Sequence, residues 1–271
     1  MAVKKPKAIS PFRNVKELEE EITQFMNIHK AKISNQANRM SDYFEMCCFN
    51  YIVKYYTSKG YIIEVENLQA GKYRYKCSTQ GNHENFSNFK ISKTKKGETF
   101  EYGIHHNIAV QSAYQKDIYT TPDISVISYG SIEEDEEHYE GKRKLSFVAN
   151  ANLVTFCEAK QYTPFPELIF SFIGVLNELK PDIMNKTQQN LPVRHLAPSL
   201  MISGKPNDHA EKIQRSLENR HCINVIFDLF APVAHPFSSS RIGFLKSIRV
   251  ADDYRNNNFE IQYEQEEETP F

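Results

Sequence analysis

"LVTFCEAKQYTPF" spans Leu153 to Phe165. Its first half is almost wholly apolar and reads as a strand covered on both faces. Glu158 and Lys160 close that strand. Side chains alternate along a strand, so Glu158 and Lys160 share one face while Cys157 and Ala159 point to the other. A carboxylate and an ammonium are therefore placed side by side where a buried strand leaves its core.

The flanking segments sharpen this reading. Downstream, Pro166 suits the first turn of a helix and Glu167 favours its N-terminal dipole. The helix runs through "ELIFSFIGVLNELK" and stops before Pro181. Its apolar residues, Leu168, Ile169, Phe170, Phe172, Ile173, Val175, Leu176 and Leu179, cover most of the circumference. A helix apolar all round is buried on more than one side. One side should lie on the sheet, and the other under the N-terminal helices or a second copy of the chain. Upstream, "TPDISVISYG" (121–130) reads as a strand opened by Pro122-Asp123 and ended by Gly130. The charged stretch "SIEEDEEHYEGKRK" (131–144) reads as a solvated loop between the two strands.

If those strands are neighbours, Asp123 meets Glu158 across them. Two carboxylates held together repel one another, and a divalent cation relieves that. Hard oxygen ligands with positions left for water and substrate suit magnesium.

The rest of the chain supplies the layers. "NVKELEEEITQFMNI" starts with a capping-box signal at Asn14 and Glu17, and Leu18, Ile22, Phe25 and Met26 recur at helical spacing. A second helix is expected from about Gln36 to Ser58, with Gly60 beyond its end. "YIIEVEN" (61–67) and "GKYRYKCST" (71–79) read as strands. Residues 78–99 are polar and read as a loop or irregular hairpin. "TFEYGIHHNIAVQSA" (99–113) reads as a strand broken at Gly103. "LAPSLMISG" and "CINVIFDLF" read as two further strands, with a short helix at about 209–220 between them. The tail holds one more strand candidate, "FEIQYEQ" (259–265), before the acidic run "EQEEE". The expected division is helices packing on the core (1–60), the core itself (61–230) and a C-terminal extension (231–271), together one domain.

Composition excludes little by charge. Lys+Arg (33) and Asp+Glu (34) nearly cancel, so only local charge can argue for a nucleic-acid or membrane partner. The five cysteines form no CxxC or zinc spacing, which favours a reduced, cytoplasmic setting. Lys4, Lys5 and Lys7 have no apolar stretch behind them, so a signal peptide is not expected, and no run is long enough to span a bilayer.

The order helix, strand, strand with "PD", strand with "ExK", helix, strand resembles the PD-(D/E)xK, or restriction-endonuclease-like, nuclease superfamily. Pro122, Asp123, Glu158 and Lys160 match its motif residue by residue, and the architecture covers roughly residues 36–230. The resemblance implies an α/β fold with a mixed central sheet flanked by helices and an N-terminal helical extension. It implies that Asp123, Glu158 and the Ala159 backbone carbonyl hold Mg²⁺, with Mn²⁺ as a substitute, and that Lys160 orients water or stabilises developing charge. Glu45, on the helix before the sheet, matches the place of a further acidic ligand. Gln161 and His106 are candidates for substrate contact, although His105 and His106 point to opposite faces and only one can reach a common site.

The implied activity is Mg²⁺-dependent hydrolysis of phosphodiester bonds, with DNA endonuclease the leading form and bacterial defence a role. The implied partners are nucleic acid, a second copy of the chain as homodimer, and an activating partner protein, with no membrane. The competing readings are a catalytically inactive relative that binds nucleic acid or protein, and an unrelated α/β protein with a chance motif.

Overall fold

The computed structural model describes residues 15–34, 39–141, 144–185, 191–229, 237 and 241–248. A seven-stranded sheet forms the centre. Its strands are β1 (Ile62–Glu66), β2 (Asn88–Lys95), β3 (Glu98–His106), β4 (Ile124–Ser128), β5 (Leu153–Lys160), β6 (Ser199–Ile202) and β7 (Asn224–Ile226). They lie side by side in chain order. From β1 to β5 every pair is antiparallel. From β5 to β7 the pairs are parallel.

Parallel neighbours need a crossover. Here the crossovers carry α3 (Pro166–Leu179) and α4 (Asp208–Arg220), while α1 (Val15–Ile28) and α2 (Met40–Ser58) precede the sheet. This is a mixed α/β architecture with helices on both faces of a large mixed sheet.

Strand alternation sorts the core in two. Ile124, Val126, Val154, Cys157 and Ala159 pack with α1 and α2. Ile127, Leu153, Phe156, Leu200 and Val225 pack with α3 and α4. Phe156 meets Phe172 at 5.8 Å between ring centres. Strand β5 is buried along its length until Lys160, as expected of a central strand. Cys157 and Ala159 do lie opposite the face of Phe156.

Several expectations change. The N-terminal helices do not cover the outer side of α3, because they occupy the other face of the sheet. Ile169, Phe172, Leu176 and Leu179 face inward, and Phe170 remains half exposed. Of the polar segment 78–99, residues 78–87 are irregular, but Asn88–Lys95 is a regular strand, β2, that forms a hairpin with β3. Only Phe89 and Ile91 are buried there, and the lysines between and after them mask the alternation. "GKYRYKCST" is a strand only at Lys72–Tyr73, which pairs with Lys32–Ile33. Beyond it the backbone of Arg74 exchanges bonds with Ser87, and the Lys76 carbonyl accepts from Asn107. Strand β3 runs straight through Gly103 and ends at His106, and Asn107 after it has a φ of 49°.

The charged segment is not all loop. Ile132–Asp135 pairs antiparallel with Leu145–Val148, a strand the sequence did not announce. Together with Ala109–Gln111 and Tyr119–Thr120 they form a second, four-stranded sheet. The Asn14 cap, the Gln36 start of α2 and the strand at 259–265 lie outside the described residues. Gly60 takes φ 75° just past α2, in the left-handed region that favours glycine at a helix end.

Candidate active site

The β4–β5 ladder sets the site. Cys157 pairs with Ile124, and one further step brings Glu158 opposite Asp123. The Ala159 amide donates to Asp123 Oδ2 at 2.6 Å, and Lys160 Nζ donates to the same oxygen at 2.9 Å. Lys160 Nζ also lies 2.6 Å from Glu158 Oε2. One ammonium thus bridges two carboxylates on adjacent strands. The carboxylate side chains are only 12% and 10% exposed, against 31% for Lys160, so the lysine forms the solvent side of the cluster.

The electrostatics follow from burial. Burial pushes Glu158 up to about 7, and the Asp123 charge adds to it against the pull of Lys160. Burial also opposes the Lys160 charge, but Glu158 and Asp123 outweigh it and hold the ammonium well above its ordinary range. Glu45 projects from α2. Its carboxyl is likewise raised to about 7, first by burial and then by the Asp123 charge, with an Asn107 hydrogen bond opposing. Glu45 therefore stands within electrostatic reach of the pair.

Not all candidates converge. His106 is buried between Phe49 and Tyr75. Its Nε2 is 3.7 Å from Glu45 Oε2, too far for a hydrogen bond, and burial lowers it to about 3. It is a neutral core residue beside Glu45 and does not present itself to a substrate. Gln161 is partly exposed just beyond Lys160. His105 does not join the cluster.

Sequence reasoning missed Asn107 and Lys76. The Asn107 amide N–H donates to the Asp123 carbonyl at 3.0 Å. Its side chain donates to the Lys76 carbonyl and its own carbonyl accepts from Lys76 Nζ, each at 2.7 Å. Asparagine tolerates the left-handed backbone this needs. The pair ties the end of β3 to the start of β4, where Asp123 sits. An asparagine after a strand carries no signal of such a role by itself.

Among the described residues no three His, Cys, Asp or Glu side chains form a preassembled metal cage. Two adjacent carboxylates nevertheless fit magnesium, which is commonly held by one or two carboxylates plus water and substrate phosphate. The Glu158 and Glu45 carboxyls are raised first by burial and then by the Asp123 charge, and a divalent ion would offset the second of these. The cavity of about 420 Å³ between α1 and α2 is lined by none of these residues. No protein-family model, curated protein or solved structure matches the chain.

Proposed function

We propose that this chain is a metal-dependent nuclease of the PD-(D/E)xK kind, acting on DNA as an endonuclease. The observation that carries the reading is the Asp123–Lys160–Glu158 bridge on adjacent strands, with contacts of 2.9 and 2.6 Å. The order α2, β3, β4, β5, α3, β6 supports it, since that is the order in which the superfamily places its motif.

Asp123 and Glu158, with the Ala159 carbonyl and Glu45 beside them, would hold Mg²⁺ or Mn²⁺. When bound, the ion would supply a water of lowered pKa and neutralise phosphate charge. The Ala159 amide keeps Oδ2 of Asp123 fixed. Lys160, on the solvent side of the two carboxylates, would donate to the phosphate or the attacking water. Asn107 keeps Asp123 and Glu45 in register with one another.

The test is cutting of supercoiled plasmid and of single-stranded DNA with Mg²⁺ or Mn²⁺, with EDTA and Lys160→Ala as controls. Cutting that needs the metal and Lys160 supports the reading. No cutting under any divalent ion leaves the inactive binding module as the better account. The homodimer would cover Phe170, and sedimentation mass tests it. Among the described residues no helix is long and apolar enough to cross a membrane.

A further inference from the structure

Strands β5, β6 and β7 are parallel, so their C-terminal ends lie on one edge of the sheet, the edge where Glu158 and Lys160 emerge. Beyond those ends the backbone is laced together. Ser203 N donates to the Lys160 carbonyl at 3.1 Å, Gly204 N to the Tyr162 carbonyl at 3.0 Å, and Asp228 N to the Gly204 carbonyl at 3.0 Å. Gly204 is required, because a Cβ there would sit 2.4 Å from the Tyr162 oxygen and 2.7 Å from Thr163 Cα. The result is a rigid ledge that starts at Lys160. It presents the ring of Tyr162, 60% exposed.

The ledge leads to a cleft of about 820 Å³ lined by Lys205, Arg215, Phe227, Arg241, Phe244 and Lys246. Adjacent strands are about 4.8 Å apart, so β7 lies roughly 10 Å from β5. The cleft also holds acids, but most are engaged. Glu211 pairs with Arg215 at 3.7 Å. The Glu218 carboxylate accepts the Val225 amide, and its carbonyl takes Lys246 Nζ. Lys205 and Arg241 have no ion pair among the described residues, against the single acid Asp228. Phe244 is 87% exposed at the mouth.

Unpaired cations with exposed aromatics are what a single nucleic-acid strand requires, phosphates on the former and unstacked bases on the latter. The volume falls within the range of about 300–1,000 Å³ that suits small ligands, room for a few nucleotides of one strand. We propose that an unpaired polynucleotide strand runs from the Glu158–Lys160 site along this ledge into the cleft, with Tyr162 stacking a base and Lys205 and Arg241 holding phosphates. The inference rests on the nuclease reading for what happens at the site, and names the form of substrate that the site takes.

The test separates the two. Fluorescence anisotropy of the full chain in EDTA, where nothing is cut, compares single-stranded DNA, single-stranded RNA and blunt duplex DNA of one sequence. A single strand should bind at least about tenfold tighter than the duplex, and whichever of DNA or RNA binds identifies the source. Tyr162→Ser should weaken single-strand binding by about 5- to 100-fold. Lys205→Gln and Arg241→Gln should each reduce the slope of log affinity against log salt by about 0.7. Equal or tighter duplex binding, no binding to any of the three, or affinity unchanged by these substitutions overturns the proposal. The nuclease reading stands or falls separately, on metal-dependent cutting by the same preparation.

Discussion

The amide of Ala159 donates to Asp123 Oδ2 at 2.6 Å. A side chain thereby occupies a place at the edge of the β4–β5 ladder that a backbone carbonyl would otherwise fill. On the proposed function Asp123 would have two duties, one structural and one chemical, and they can be separated. Asp123→Asn keeps an acceptor oxygen for the amide but removes the charge. It should fold normally and lose at least about 100-fold in cleavage, on the scale of removing one charge-stabilising group. Asp123→Ala should lose as much activity and also about 1–3 kcal/mol of stability, since it strands a buried N–H. Equal urea midpoints for the two variants would contradict this division.

The carboxylates give a pH dependence. Glu158 and Glu45 carry pKa values raised to about 7 in the fold. A raised acid contributes stability that is fully present below its unfolded value and is lost as pH rises through the folded value. Without metal, the stability of the wild type relative to Glu158→Gln should therefore fall as pH rises from about 4.5 through 7. Adding Mg²⁺ should recover stability in the wild type and not in the variant. Melting scans in EDTA and in Mg²⁺ across that range check both signs.

Histidine works in the opposite direction. His195 is fully buried, with Tyr56 Oη 3.1 Å from Nδ1 and the Tyr102 ring 4.4 Å away. Burial lowers its pKa to about 3. Its stabilising contribution is present above the unfolded value near 6.5 and is lost as pH falls toward the folded one. His195→Gln cannot titrate, so its urea midpoint should fall less steeply than the wild type's between pH 7 and pH 5. Because the acid and histidine slopes oppose one another in the same window, single substitutions are needed to read either.

Asn107 offers a test of positioning. Asn107→Gly keeps the φ of 49° without a Cβ, whereas Asn107→Ala must hold a strained backbone as well as lose the side-chain bonds. The alanine variant should be less stable by about 1–2 kcal/mol. Both should lower kcat, and both should shift the pH profile of cleavage, because Glu45 loses the hydrogen bond that opposes its raised pKa. An unmoved pH profile would reduce Asn107 to a purely structural residue.

The site was more legible than the frame around it. Strand period two and two strong apolar runs were enough to place Glu158 and Lys160 together and to bring Asp123 opposite. Strand β2 was hidden because only its Phe89 and Ile91 are buried. The strand Leu145–Val148 was hidden because its partner, Ile132–Asp135, carries Glu133 and Glu134 outward and looks like loop. His106 looked accessible because sequence does not reveal that Phe49 and Tyr75 enclose it. Asn107 and the Tyr162–Gly204 contact depend on backbone approach between distant segments, which no local pattern encodes.

The main sheet keeps its strands in the order in which the chain makes them, β1 to β7. No strand must be threaded between two that are already paired. A chain emerging from its N-terminus can add each strand to a free edge as it appears, and loop-closure costs stay small for the meander. Asp123, Glu158 and Lys160 all belong to the part made before β6. The Asp123–Lys160–Glu158 cluster can therefore be in place during synthesis while β6 and β7, which complete the ledge beyond it, are still to come, so the growing chain acquires its charges before the surface proposed to guide a substrate to them.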